Sequence, residues 1–83
     1  MRMGAIKVYG ADWCGDCRRA KRMLERTETA YTYIDVDVDL EAKEEAIRLS
    51  GRKNIPVILF PDGDVLVEPT DPELEQALLR RSA

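Results

Sequence analysis

Two cysteines, Cys14 and Cys17, carry the clearest chemistry in the chain. They lie in ADWCGDCRRA, Ala11 to Ala20, with Trp13 just before them and Arg18, Arg19 and Arg22 after. Three readings compete: a dithiol redox centre, half of a metal site, or two inert thiols. As a structural staple the pair would do little, because so short a loop removes little chain entropy. Zinc takes four ligands from Cys, His, Asp or Glu, and the chain has no histidine and no third cysteine. Asp12 and Asp16 could contribute to a metal site, or two chains could share an ion. A C-x-x-C after a strand and before a helix favours redox chemistry. Cys14 then stands at the helix N-terminus, where unpaired N–H groups favour an anionic sulfur and lower the thiol pKa. Cys17, one turn further in, shares a face with Ala20 and Leu24 and should be the more buried. Cys14 is therefore expected to attack a disulfide, and Cys17 to attack the resulting mixed disulfide and release product.

Neighbouring charges act in both directions. Asp12 and Asp16 oppose a thiolate at Cys14, while the three arginines favour it if they point toward it. Otherwise they form a solvated helix face with Lys21–Glu25 and Arg22–Glu25 pairs. Trp13 is expected at the surface beside the thiol, in contact with substrate; the alternative is packing against the last helix.

The elements that must position the pair follow from pattern. Met3 to Tyr9 reads as a strand, broken by Gly10 and ADW; a helix follows from Cys14, with Cys17, Ala20, Met23, Leu24 and Thr27 on one face. YTYIDV, Tyr31 to Val36, is a second strand, β-branched and aromatic. Leu40, Ala46, Ile47 and Leu49 mark a second helix ending near Gly51. IPVILF, Ile55 to Phe60, reads as a buried strand, and PDGD turns it into the short strand VLV. A last helix opens at Thr70 or Asp71, with Pro72 in its first turn, Leu74, Ala77 and Leu78 inward, and Arg80–Arg81 at its end. The order is β-α-β-α-β-β-α. IDVDVDL resembles a calcium loop, but Leu40 stands where Gly is needed and Ala46 where a bidentate Glu is needed. It reads instead as a strand end leading into a helix. Lys7 is unusual for a central strand and is expected to snorkel.

Eighty-three residues make one small domain, 1–83, with no repeat or linker. A net charge of −3 argues against nucleic acid. No apolar run approaches the roughly 18 residues that span a bilayer, and MRMGAIKVYG has no signal-peptide core. A cytoplasmic, monomeric protein with no membrane association is expected.

Three segments carry a resemblance: WCGDC, NIPVILF and FPDGDVLVEPTDPEL. In this order and spacing they resemble the thioredoxin-fold glutaredoxins, most closely the small actinobacterial, mycoredoxin-like branch, over about Ala5 to Leu79. Thioredoxin shares WCG-C, but its extra leading strand and helix are not seen here. The resemblance implies an α/β, thioredoxin-like fold with a four-stranded mixed sheet and three helices. It implies a thiol–disulfide oxidoreductase acting on protein disulfides or protein–small-thiol mixed disulfides. No cofactor is implied as bound; mycothiol or glutathione would be the co-substrate. Cys14 matches the nucleophile and Cys17 the resolving cysteine, although Cys14 alone could suffice on a mixed disulfide. Pro56 matches the family's cis-proline, and Ile55 would offer its backbone to substrate. Trp13, Gly15 and Asp16 would line the same site. Thr70 and Asp71 would bind a substrate's polar end, or simply cap the helix. The pattern departs from the glutaredoxins at two places. Gly15-Asp16 stands where they carry Pro-Tyr, and VEPTDPEL lacks their Gly-Gly pair. Both departures weigh toward mycothiol or a protein partner over glutathione. The rival reading is a metal or iron–sulfur binding protein; a further one is a thioredoxin-like adaptor whose cysteines never turn over.

Overall fold

The computed structural model describes residues 5–82. Strand β1 (Ile6–Gly10) leads to helix α1 (Gly15–Arg26), and β2 (Tyr31–Asp35) to α2 (Leu40–Ser50). A hairpin of β3 (Val57–Leu59) and β4 (Val65–Val67) then precedes α3 (Asp71–Ser82). The strands form one mixed sheet in the order β2-β1-β3-β4. β1 runs parallel to β2, with Val8 opposite Tyr33. It runs antiparallel to β3, which pairs antiparallel with β4. The expected element order, mixed sheet and three helices are all present.

Strand alternation distributes the core to both sides of the sheet. Ile6, Val8 and Ile58 meet Ala20, Met23 and Leu24 of α1 and Leu74 and Ala77 of α3. Tyr9 and Val57 point the other way and meet Val36 and the α2 alanines Ala42 and Ala46. Lys7 shares the Tyr9 face but stays exposed, so the central strand carries a solvated lysine.

Several expectations shift by a residue or a face. Gly10 does not break the first strand; it is its last residue and pairs with Asp35. Met3 and Gly4, expected at that strand's start, lie outside the described residues. α1 begins at Gly15, with Cys14 as its N-cap. Leu40 is 66% exposed; α2 buries the expected Ala46 and, in place of Leu40, Ala42. The aspartates of IDVDVDL do local work. Asp35 Oδ1 accepts the Asp37 N–H at 2.9 Å, and Asp39 Oδ1 caps α2 by accepting from Ala42 N at 3.1 Å. The PDGD turn closes as expected, with Gly63 at φ 95 and its N–H donating to the Phe60 carbonyl at 2.9 Å. Arg81 does more than complement a helix dipole. It ties α3 to this turn through Asp62 at 3.0 Å and Asp64 at 2.8 Å, and lies over the Phe60 ring.

Candidate functional site: the Cys14–Cys17 groove

The β1–α1 connection places the two sulfurs by helix geometry alone. Cys14 sits outside the first turn in extended conformation, and its backbone N–H donates to the Ala11 carbonyl at 3.1 Å. Its Sγ accepts the Cys17 backbone N–H at 3.2 Å, the role that Ser or Asp plays at an ordinary N-cap. Both cysteines are free thiols. Cys14 is 8% exposed and Cys17 fully buried, in the expected order. Burial pushes the Cys17 thiol up, and the adjacent Cys14 sulfur adds to the shift. The Ile55–Pro56 bond is cis. It lies in the segment leading into β3, which turns the Ile55 carbonyl toward Cys14 Sγ at 3.9 Å.

A groove of about 560 Å³ opens at Cys14, while Cys17 lies buried and does not line it. Trp13, Cys14, Gly15 and Asp16 form one side, and Ile55 stands on the other. Lys53, Asn54 and Glu68 complete the lining, and sequence reasoning singled out none of them. Lys53 and Asn54 directly precede Ile55-Pro56, so their position was a usable signal. Glu68 falls in the stretch where the glutaredoxin pattern carries glycine. It adopts φ 48, a left-handed conformation that costs a non-glycine residue roughly 1–2 kcal/mol. Two bonds hold it there. Its N–H donates to the Pro56 carbonyl at 2.9 Å, and its Oε1 accepts from Asn54 Nδ2 at 2.8 Å.

Trp13 is 69% exposed beside the thiol, as expected. Its anchor is not the last helix: Nε1 donates to Asp37 Oδ2 at 2.7 Å, on the β2–α2 connection. Asp16 is not left alone with the sulfur. Arg19 Nη1 lies 3.1 Å from Asp16 Oδ1, and Arg19 Nε lies 3.2 Å from Asp71 Oδ1. One guanidinium thus clamps the first turn of α1 to the first turn of α3. Arg18 Nη1 donates to the Asp12 carbonyl at 2.7 Å. The expected Lys21–Glu25 and Arg22–Glu25 pairs do not form among the described residues. Lys21 Nζ instead lies 4.0 Å above the Tyr33 ring, and Glu25 accepts from the Tyr31 hydroxyl at 2.6 Å. Of the arginines, none lines the groove; its one cation among the described residues is Lys53.

Thr70 and Asp71 are not brought to the groove. The Thr70 N–H donates to Glu73 Oε1 at 2.8 Å while Thr70 Oγ1 accepts from Glu73 N at 3.3 Å, a capping box. Asp71 is engaged by Arg19. Pro56 itself is buried behind Ile55. Among the described residues no group of three or more His, Cys, Asp or Glu is placed to hold a metal ion. No helix among them is long and apolar enough to cross a membrane.

A C-x-x-C at a strand-to-helix junction, facing a cis-proline segment on a four-stranded mixed sheet with three helices, defines a thioredoxin-fold dithiol protein. Comparison with known proteins makes this specific. The glutaredoxin family model matches residues 6–66. A Mycobacterium tuberculosis protein assigned to the glutaredoxins is 30% identical over 81 residues, 96% of each chain. Glutaredoxin 3 of Escherichia coli is 30% identical over 58 residues, 70% of each chain. The crystal structure of a glutaredoxin from Archaeoglobus fulgidus shares the fold. Its TM-score is 0.81 at 21% identity, covering 92% of this chain and 87% of that one. The chain belongs to the glutaredoxin family, and its activity class is that of a thiol–disulfide oxidoreductase.

Proposed function

We propose that this protein reduces protein disulfides and protein–small-thiol mixed disulfides, with Cys14 as nucleophile and Cys17 as resolving thiol. The observation that carries this reading is the 3.2 Å contact from the Cys17 amide to the sulfur of Cys14, the cysteine that lines the groove. An amide donor at a helix N-terminus stabilises charge on the sulfur it faces. In the cycle, Cys14 attacks a substrate sulfur and forms a mixed disulfide. Cys17 then attacks Cys14, the internal disulfide forms, and the substrate leaves as a thiol. A small thiol restores the dithiol by two successive exchanges, itself ending as a disulfide.

Ile55, whose carbonyl stands beside Cys14, presents backbone to an extended substrate segment, in the manner of strand addition. Pro56 fixes that segment. Trp13, Gly15 and Asp16 form the opposite wall. The roles of Thr70 and Asp71 reduce to capping and clamping, given the partners that hold them.

The thiol preference follows from charge. A glutathione anion entering the groove would meet Asp16 and Glu68, with Lys53 as the single lining cation among the described residues. A thiol rich in neutral hydroxyls, such as mycothiol, finds acceptors in the same carboxylates. We therefore read the co-substrate as mycothiol rather than glutathione, which places the chain with the mycoredoxin-like proteins. We read it further as a single domain over 1–83, acting as a cytoplasmic monomer.

The test is an electron-donor panel: glutathione, mycothiol and thioredoxin reductase, each against one protein disulfide. Mycothiol should support the fastest turnover, Cys14→Ser should abolish it, and Cys17→Ser should keep activity on mixed disulfides only. Equal turnover by Cys14→Ser would end the oxidoreductase assignment of this pair. Faster turnover with glutathione would end the mycothiol assignment alone.

A further inference from the structure

The hydroxyl of Tyr33 is buried and has no hydrogen-bond partner among the described residues. Buried hydroxyls almost always have one, and an orphan calls for a reason. The reason lies in what surrounds it. A methyl group built on Gly10 would stand 2.8 Å from Cys17 Sγ and 3.1 Å from the Tyr33 hydroxyl. Thiol and phenol therefore flank the same side of the β1 end, and the absent side chain of Gly10 keeps the space between them open. The ring is held from two sides. β2 pairs Tyr33 with Val8, and Lys21 lies over its face. Among charged neighbours Cys17 acts on the phenol most strongly, followed by Asp12, Asp35 and Cys14.

We propose that the Tyr33 hydroxyl is the hydrogen-bond donor that receives charge on the Cys17 sulfur during disulfide exchange. The proposal rests on the reading of Cys17 as resolving thiol. As a thiol, Cys17 needs no donor, and the phenol waits unpaired. In the resolving step Cys17 loses its proton and attacks the Cys14 sulfur of the mixed disulfide. The Cys14–Cys17 bond forms and the Cys14–substrate bond breaks. The substrate sulfur leaves with that bond's electron pair and takes up a proton. One thiol and one disulfide are exchanged for another thiol and disulfide, and no outside oxidant or reductant enters. The reverse step, attack on Cys14 of the internal disulfide, expels Cys17 as a thiolate and places charge on the same atom. Burial makes that charge unfavourable at Cys17 and the backbone N–H of Ala11 offsets only part of it, so a second donor is worth most there. Tyr33 stays protonated for this role, because burial first and nearby negative charges next push its phenol up to about 12.

Tyr33→Phe removes the hydroxyl alone. Mixing the reduced protein with an aromatic disulfide whose thiolate is coloured reports two releases. The first comes from attack by Cys14, the second from attack by Cys17 on the Cys14 adduct. Tyr33→Phe should leave the first release at the parent rate and slow the second about tenfold or more, the range expected for a lost hydrogen bond to a charged group. The reverse reaction should slow by the same factor, so the dithiol–disulfide equilibrium in a thiol redox buffer should not move. Thermal stability should equal or exceed that of the parent, since a buried unpaired hydroxyl is gone. A second release at the parent rate overturns the proposal. So does equal slowing of both releases, or a shifted equilibrium, or a fall in stability that assigns Tyr33 to packing alone. Cys17→Ser is run beside it; if that variant still gives the second release, the resolving role of Cys17 fails, whatever Tyr33→Phe does.

Discussion

Gly10→Ala tests the packing that seats the resolving thiol. Gly10 is the last residue of the central strand; its carbonyl accepts the Val36 N–H at 2.9 Å, and β2 lies alongside. Its backbone therefore has little room to retreat. The added methyl would meet Cys17 Sγ at 2.8 Å and Cys17 Cβ at 3.1 Å, against the roughly 3.5–4.0 Å of an ordinary carbon contact. Cys17 is fully buried and its side chain is short, so it cannot swing away. Overpacking of this kind costs about 1–3 kcal/mol. Loss of glycine's freedom in the unfolded chain offsets about 0.4–1 kcal/mol of that, since Gly10 needs no left-handed φ. Taking the middle of each range, a net loss of about 1.3 kcal/mol lowers the Tm of a domain this size by roughly 5–10 °C. The assay is thermal unfolding of the reduced protein, with Gly15→Ala as control. A methyl on Gly15 comes no closer than 4.0 Å to any neighbour, the Arg18 Nη2, so that variant should hold or raise Tm. A Gly10→Ala protein as stable as the parent would refute the steric argument and the crowded placement of Cys17.

Two further predictions concern stability. Tyr9, bonded to Glu45 at 2.8 Å, and Tyr33 are both pushed up to about 12, mainly by burial, and Cys17 is raised as well. Unfolded, these groups lose their protons near 10.0 and 9.0. Between those values and the folded ones the unfolded chain binds fewer protons, so stability is complete below about pH 8 and falls as pH rises toward 12. Urea unfolding at about pH 8 and about pH 10.5 should show this fall, and Tyr9→Phe should lessen it by the Tyr9 share; a flat profile in the parent would contradict the burial argument. Thr70→Ala removes one half of the α3 capping box and should cost about 0.5–2 kcal/mol. It should leave the KM for the small thiol unchanged; a raised KM would return Thr70 to the substrate site.

How much of this was legible depends on range along the chain. The C-x-x-C, its seat at a helix start, the element order and the PDGD turn are local patterns, and each was readable. Leu40 was misassigned because a segment rich in charge offers two plausible faces; the sheet selected the alanine face, where Ala42 and Ala46 let α2 approach closely. Gly10 looked like a breaker because glycine often ends strands. Its actual role is to leave room for a sulfur seven residues later, and no propensity encodes that.

By itself the sequence determined the chemistry: two thiols at helix spacing, one at the cap and one inside, because hydrogen-bonding pattern and apolar period act within a turn. Only the tertiary structure decided what faces them. Cys14 and Ile55 lie 41 positions apart, and they meet because β3 inserts beside β1 and brings the Pro56 segment to the start of α1. The same strand order lays Tyr33 alongside β1 near Cys17, and hairpin return carries Glu68 to Asn54 at the groove. Strand order is settled by burying both faces of the sheet at once, a condition on the whole chain that no short stretch of residues can state.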